Sequence, residues 1–78
     1  MDKIEKFLLR LNKQERLLIV QILHDIHTLK TARYDVKALK GYHGVFRLRK
    51  GKIRIIFVQK KSIGIILNIA YRKDAYRK

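Results

Sequence analysis

The sequence predicts an α+β domain in which an N-terminal helical hairpin packs on an antiparallel sheet of three strands, or four if a further strand joins them. Two observations carry this. Apolar residues recur at helical spacing through residues 4–29, and from residue 45 the pattern switches to two-residue alternation rich in β-branched side chains. Short turn signals separate the alternating runs, so neighbouring strands connect as hairpins and the sheet is a meander.

The first helix is placed at Asp2–Leu11, where Ile4, Phe7, Leu8 and Leu11 make one apolar stripe. Asn12-Lys13-Gln14-Glu15 follows. Asn12 can cap a second helix while Glu15 reaches back to its backbone N–H, a reciprocal capping box. That helix runs from about Lys13 to Leu29, with Leu18, Ile19, Ile22, Leu23, Ile26 and Leu29 as its core stripe. Two helices joined by so short a link fold back on each other, which makes residues 1–29 a hairpin.

Residues 30–44 have no sustained period and are read as a connector. The sheet occupies residues 45–70: Val45–Arg49, a Lys50-Gly51 turn, Lys52–Gln59, a Lys60-Lys61-Ser62 turn, and Ile63–Ala70. If Lys50-Gly51 is a two-residue turn, Arg49 faces Lys52, Leu48 faces Ile53, Arg47 faces Arg54 and Phe46 faces Ile55. Side chains alternate across a strand. Phe46, Leu48, Ile53, Ile55 and Phe57 then share the core face, and Arg47, Arg49, Lys52 and Arg54 share the solvent face. Cations directly across a ladder repel, so local physics does not ask for them. Binding of phosphate does, because arginine presents a planar fork that contacts two oxygens at once.

Composition narrows the function. The chain has 78 residues, 47% of them apolar, enough for one packed domain rather than a disordered segment. It has no cysteine, which removes disulfides, thiol nucleophiles and cysteine-based zinc sites. No apolar run approaches the roughly 18 residues of a membrane span, and the N-terminus has no signal-peptide layout, so the expectation is a cytoplasmic protein with no membrane partner. The net charge is +14, and it is concentrated: residues 1–39 carry eight basic and five acidic residues, while residues 40–78 carry twelve and one. A small domain tolerates such self-repulsion when phosphates or an acidic protein meet it.

Residues 71–78 form a basic-aromatic tail. Tyr71 and Tyr76 can stack on bases, and Arg72 and Lys73 can neutralise phosphates. His24 and His27 lie three apart on the second helix without an evident third ligand, so no metal is expected; His43 sits in the connector beside the basic half. There is no glycine-rich phosphate loop, nucleophile elbow or paired-carboxylate site. No cofactor is expected.

Leu39-Lys40-Gly41, the run from Phe46 to Phe57, and Ala70-Tyr71-Arg72-Lys73-Asp74-Ala75-Tyr76 together resemble the RelE/ParE superfamily, the toxins of type II toxin–antitoxin pairs. The resemblance implies a single toxin domain over residues 1–78 and a cognate acidic antitoxin, with oligomers formed only through that complex. RelE-like members cleave messenger RNA in the ribosomal 30S A site by attack of a ribose 2′-hydroxyl; ParE-like members poison DNA gyrase. Carried over by position, Arg47, Arg54, Arg72 and Tyr76 take the catalytic places, and Arg49, Lys52, Lys73 and Tyr71 the RNA-binding ones. That set favours the endoribonuclease over the gyrase poison or a non-catalytic nucleic-acid-binding module. The family usually opens with a strand before the helices, whereas here a helix begins by Asp2. The interval from Arg72 to Tyr76 is also shorter than in well-known ribonuclease members.

Overall fold

The computed structural model describes residues 3–71; Arg72, Lys73 and Tyr76 lie outside the described residues. Helix α1 spans Lys3–Leu9 and α2 spans Lys13–His27. The capping box at the start of α2 forms as the sequence predicts. The Glu15 amide donates to Asn12 Oδ1 at 2.8 Å, and the Asn12 amide donates to Glu15 Oε1 at 3.3 Å. Arg16 then ties the hairpin together. Its guanidinium donates to the carbonyl of Leu8 (3.0 Å), which also accepts from the Leu11 amide (3.1 Å), and to the carbonyl of Leu11 (2.9 Å) in the link between the helices.

Helix α2 ends two residues earlier than its apolar period suggests, because Leu29 adopts a left-handed conformation (φ 59°). Ile19, Ile22 and Ile26 are fully buried, but Leu18 is not. Two residues of the expected stripe stand outside the core: Leu18 lies on the solvent side of Ile19, 48% exposed, and Leu29 is half-buried beyond the end of the helix.

The sheet has four strands in the order β1-β2-β3-β4, all antiparallel: β1 Asp35–Ala38, β2 Val45–Lys50, β3 Ile53–Lys60 and β4 Ile63–Tyr71. Strand β1 corrects the reading of residues 30–44 as a connector without a strand. It is only four residues long, so its alternation is faint beside that of the longer strands, and it forms because β2 offers it a ladder. A second correction concerns the β2–β3 turn. The two turn residues are Gly51 and Lys52, so Leu48 pairs with Ile55, Phe46 with Phe57 and Arg49 with Arg54. Gly51 takes φ +56° at the first turn position, the place where a type II′ hairpin favours glycine. The slip from the expected pairing amounts to two residues, which preserves every side chain's face.

Both helices pack on one face of the sheet. There Leu48, Ile53, Ile55, Phe57 and Ile69 meet Phe7, Leu11, Ile19, Ile22 and Ile26. The Phe46 and Phe57 rings stack across β2 and β3 at 5.6 Å. Each fully buried side chain of this size contributes about 1.5–3 kcal/mol relative to exposure, so this layer carries the stability of the domain.

Candidate nucleic-acid interface

The face of the sheet away from the helices collects the basic side chains. In β2, Leu48 is turned into the core, so Arg47 and Arg49 point to the opposite face. Cross-strand partners share a face. One rung therefore reads Asp35–Arg49–Arg54–Ala70 and the next Lys37–Arg47–Ile56–Asn68. Lys37, Arg47, Arg49 and Arg54 are brought onto adjoining positions of one surface, with Asp35 as the carboxylate among them.

These cations are not equivalent. Arg49 donates from Nε (3.1 Å) and a terminal nitrogen (2.9 Å) to Asp35 Oδ2, so its fork is already engaged across the β1–β2 ladder. Arg47 is half-buried, and its Nε is buried with no hydrogen-bond partner among the described residues. Arg54 is only 5% exposed, which corrects the expectation of a solvent-facing side chain. Strand order alone does not explain this, since Ile56 and Val58 on the same face of β3 are half-buried; Arg54 stands between Arg49 of β2 and Ala70 of β4.

Two residues of the expected set stand elsewhere. Lys52 is in the β2–β3 turn, exposed and off the ladder. Tyr71 turns to the helix side, where its ring lies 5.1 Å from that of Phe7 and the Arg10 guanidinium sits 5.9 Å above it. His43 is exposed between β1 and β2, and His27 Nδ1 lies 3.3 Å from the Gly64 carbonyl. Among the described residues, no three of His, Asp and Glu gather in a way that could hold a metal. No helix of the described residues is long and apolar enough to cross a membrane.

The sequence reading missed Lys37 and Asp35 because it gave β1 no strand. The available signal was the alternation in Asp35-Val36-Lys37-Ala38, where Val36 packs against the core and its neighbours face out. It also missed what fixes β1 in place. Asp25 is a buried carboxylate on α2 that accepts from Gln21 Nε2 (3.0 Å), an Arg33 terminal nitrogen (3.0 Å) and the Tyr34 hydroxyl (2.5 Å). The Tyr34 and Arg33 bonds hold the Asp25 carboxyl down at about 2, against an ordinary 3.8. The same carboxylate pushes the Tyr34 phenol above its usual value. This cluster pins residues 33 and 34 to α2, and Asp35 enters the sheet directly after them.

The architecture is that of a small basic α+β protein with a RelE-like arrangement, two helices covering one side of an antiparallel sheet. The chain is 30% identical over 59 residues to Toxin RelE3 of Methanocaldococcus jannaschii, a match that covers 76% of this chain and 67% of that protein. The chain belongs to the RelE family of toxins. No family model matches it. No solved structure matches it either.

Proposed function

We propose that this protein is the ribonuclease component of a toxin–antitoxin pair and cleaves messenger RNA on the ribosome. The supporting observation is the arginine ladder of the open sheet face, where Arg47, Arg49 and Arg54 stand on adjoining rungs beside Lys37. In the reaction, a ribose 2′-oxygen forms a bond to the adjacent phosphorus and the bond to the 5′-oxygen breaks. The 2′-hydroxyl gives up its proton, and the departing 5′-oxygen takes one up. The products are a cyclic phosphate and a 5′-hydroxyl end.

Negative charge builds on the phosphate oxygens as the new bond forms. Fixed cations placed around those oxygens lower the barrier, and removal of one such donor typically costs 10²–10³ in rate. Arg47 is the side chain best suited to this role, since its buried Nε has no acceptor among the described residues and its position in the ladder is fixed. Arg54 supplies charge from below. Arg49 is held by Asp35 and becomes available when a phosphate competes for its fork. Arg72 and Tyr76 complete the proposed set: Arg72 adds charge at the phosphate, and Tyr76 stacks on a base or assists proton transfer.

The test is primer extension on messenger RNA bound to programmed ribosomes, run beside a gyrase supercoiling assay. Cleavage within the A-site codon supports the ribonuclease. Intact message with inhibited supercoiling assigns the protein to the gyrase poisons, and neither effect leaves a nucleic-acid-binding module.

A further inference from the structure

Attack by a ribose 2′-oxygen needs a group that takes the hydroxyl's proton, and the arginines of the open face cannot be that group. Lysine and arginine side chains already carry their protons at neutral pH, whereas a carboxylate is ready to accept one. Among the described residues, Glu5 lies in α1 and Glu15 and Asp25 lie in α2, all in the helical layer on the other side of the sheet. Asp35 is therefore the one described carboxylate on the open face.

Its placement suits the task. Asp35 opens β1 across the ladder from Arg49, and its side chain is 44% exposed, so a nucleotide can reach it. Tyr34 before it is held by Asp25, and Val36 after it packs against the core, so the backbone that carries the carboxylate is fixed on both sides. Oδ2 accepts both Arg49 bonds, and Oδ1 has no hydrogen bond among the described residues. His43 is the worse placed acceptor. It precedes Val45, at the opposite end of β2 from Arg49. Four residues of strand separate Val45 from Arg49, a span of about 13 Å.

Given the ribonuclease reading, on which this rests, we propose that Asp35 is the general base of the cleavage. The phosphate that competes for the Arg49 fork displaces Asp35 Oδ2, so seating the substrate and freeing the base are one exchange. Reacting atoms in an attack-ready geometry stand about 3–3.5 Å apart. A base reaches its proton at about 2.6–3.2 Å. The base therefore belongs about 6 Å from the phosphorus, which is where a carboxylate displaced by phosphate from the same guanidinium is left. The 2′-oxygen bonds to phosphorus as its proton passes to the carboxylate. The bond from phosphorus to the 5′-oxygen breaks with its electron pair on that oxygen, which takes a proton from water. Asp35 then returns its own proton to solvent.

The test is single-turnover cleavage of message on programmed ribosomes by the parent and by Asp35→Asn. A positioned base contributes about 10²–10⁴-fold, so the variant is expected to cleave about 10²-fold or more slowly at saturating protein. Its affinity for single-stranded RNA should not fall, because the Arg49 fork is no longer held by a carboxylate. A message with sulphur in place of the bridging 5′-oxygen separates a base from an acid. Sulphur departs without needing a proton, so this substrate cures the loss of an acid and leaves the loss of a base uncured. The Asp35→Asn defect is expected to persist on it. In an Arg49→Ala background, Asp35→Asn is expected to slow cleavage at least tenfold further; Asp35→Ala replaces it in each comparison should the first variant misfold.

Recovery on the sulphur message, a slowing matched by an equal loss of RNA binding, or no further loss in the Arg49→Ala background would each overturn the proposal. The last result would show that Asp35 acts only by holding Arg49. A parent that cleaves beside an Asp35→Asn protein that cleaves equally well overturns the general base alone. A parent that leaves the message intact overturns the ribonuclease reading, and the general base with it.

Discussion

A β-carbon placed on Gly64 would lie 2.2 Å from the carbonyl oxygen of Ile26. The start of β4 touches the backbone of α2 at this point, and His27 Nδ1 lies 3.3 Å from the Gly64 carbonyl in the same contact. Glycine is needed here for space. The obstructing atom is backbone at the end of a helix whose Ile22 and Ile26 are fully buried, so it cannot turn aside as a flexible side chain would.

Gly64→Ala is therefore expected to lower stability by about 1–3 kcal/mol, the usual range for forcing extra atoms into a packed site. Urea denaturation measures this, with a matched Gly41→Ala variant as comparison. A β-carbon on Gly41 meets nothing within 4 Å, so that variant reports backbone strain alone, from its φ of +87°. A Gly64→Ala variant as stable as the parent would refute the close contact.

The Asp25 cluster sets a pH dependence with a definite sign. Its carboxyl is held at about 2 in the folded protein against an ordinary 3.8, so its contribution is fully present above about pH 4. That contribution is lost as the pH falls toward 2. In the parent the urea midpoint should drop over this interval more steeply than in Asp25→Asn, which has no carboxyl to protonate there. Tyr34→Phe should cost about 1.5–3 kcal/mol at pH 7, the worth of a hydrogen bond to a charged acceptor. Parallel midpoint-against-pH curves for parent and Asp25→Asn would refute the assignment.

On the sheet face, Arg47→Ala is expected to reduce RNA cleavage about 10²-fold or more while leaving the thermal transition near its parent value. Arg54→Ala should lose both activity and stability, because it removes a side chain only 5% exposed from the central strand. Circular dichroism melts beside single-turnover cleavage separate the two outcomes. Equal activity in a folded Arg47→Ala protein would remove it from the site.

Asp35→Asn tests the pairing with Arg49. A partly exposed ion pair of this kind contributes at most about 1 kcal/mol, so stability should change little. With the fork released, affinity for single-stranded RNA should rise. The slope of log affinity against log salt should steepen by about 0.7 if Arg49 gains one phosphate contact. An unchanged slope would show that Arg49 serves only to hold β1.

The sequence by itself determined the elements whose physics is local. The Asn12–Glu15 capping box starts α2 where its residues predict. Phe46, Leu48, Ile53, Ile55 and Phe57 share a face because alternation is a property of the strand, and a two-residue slip in the turn could not change it. The same alternation sent Arg47, Arg49 and Arg54 to the other side.

Only the tertiary structure decided what depends on neighbours distant along the chain. Residues 35–38 become a strand because Arg49, Leu48, Arg47 and Phe46 offer them a ladder, while Asp25 anchors Tyr34 from α2. Arg54 is buried between Arg49 and Ala70 on the neighbouring strands, and Tyr71 packs on Phe7 on the helix side. Gly51 rather than Lys50 opens the β2–β3 turn, which fixes which arginine stands across from which. A periodicity tells a side chain which way to point. Its partner is set by the rest of the fold closing around it.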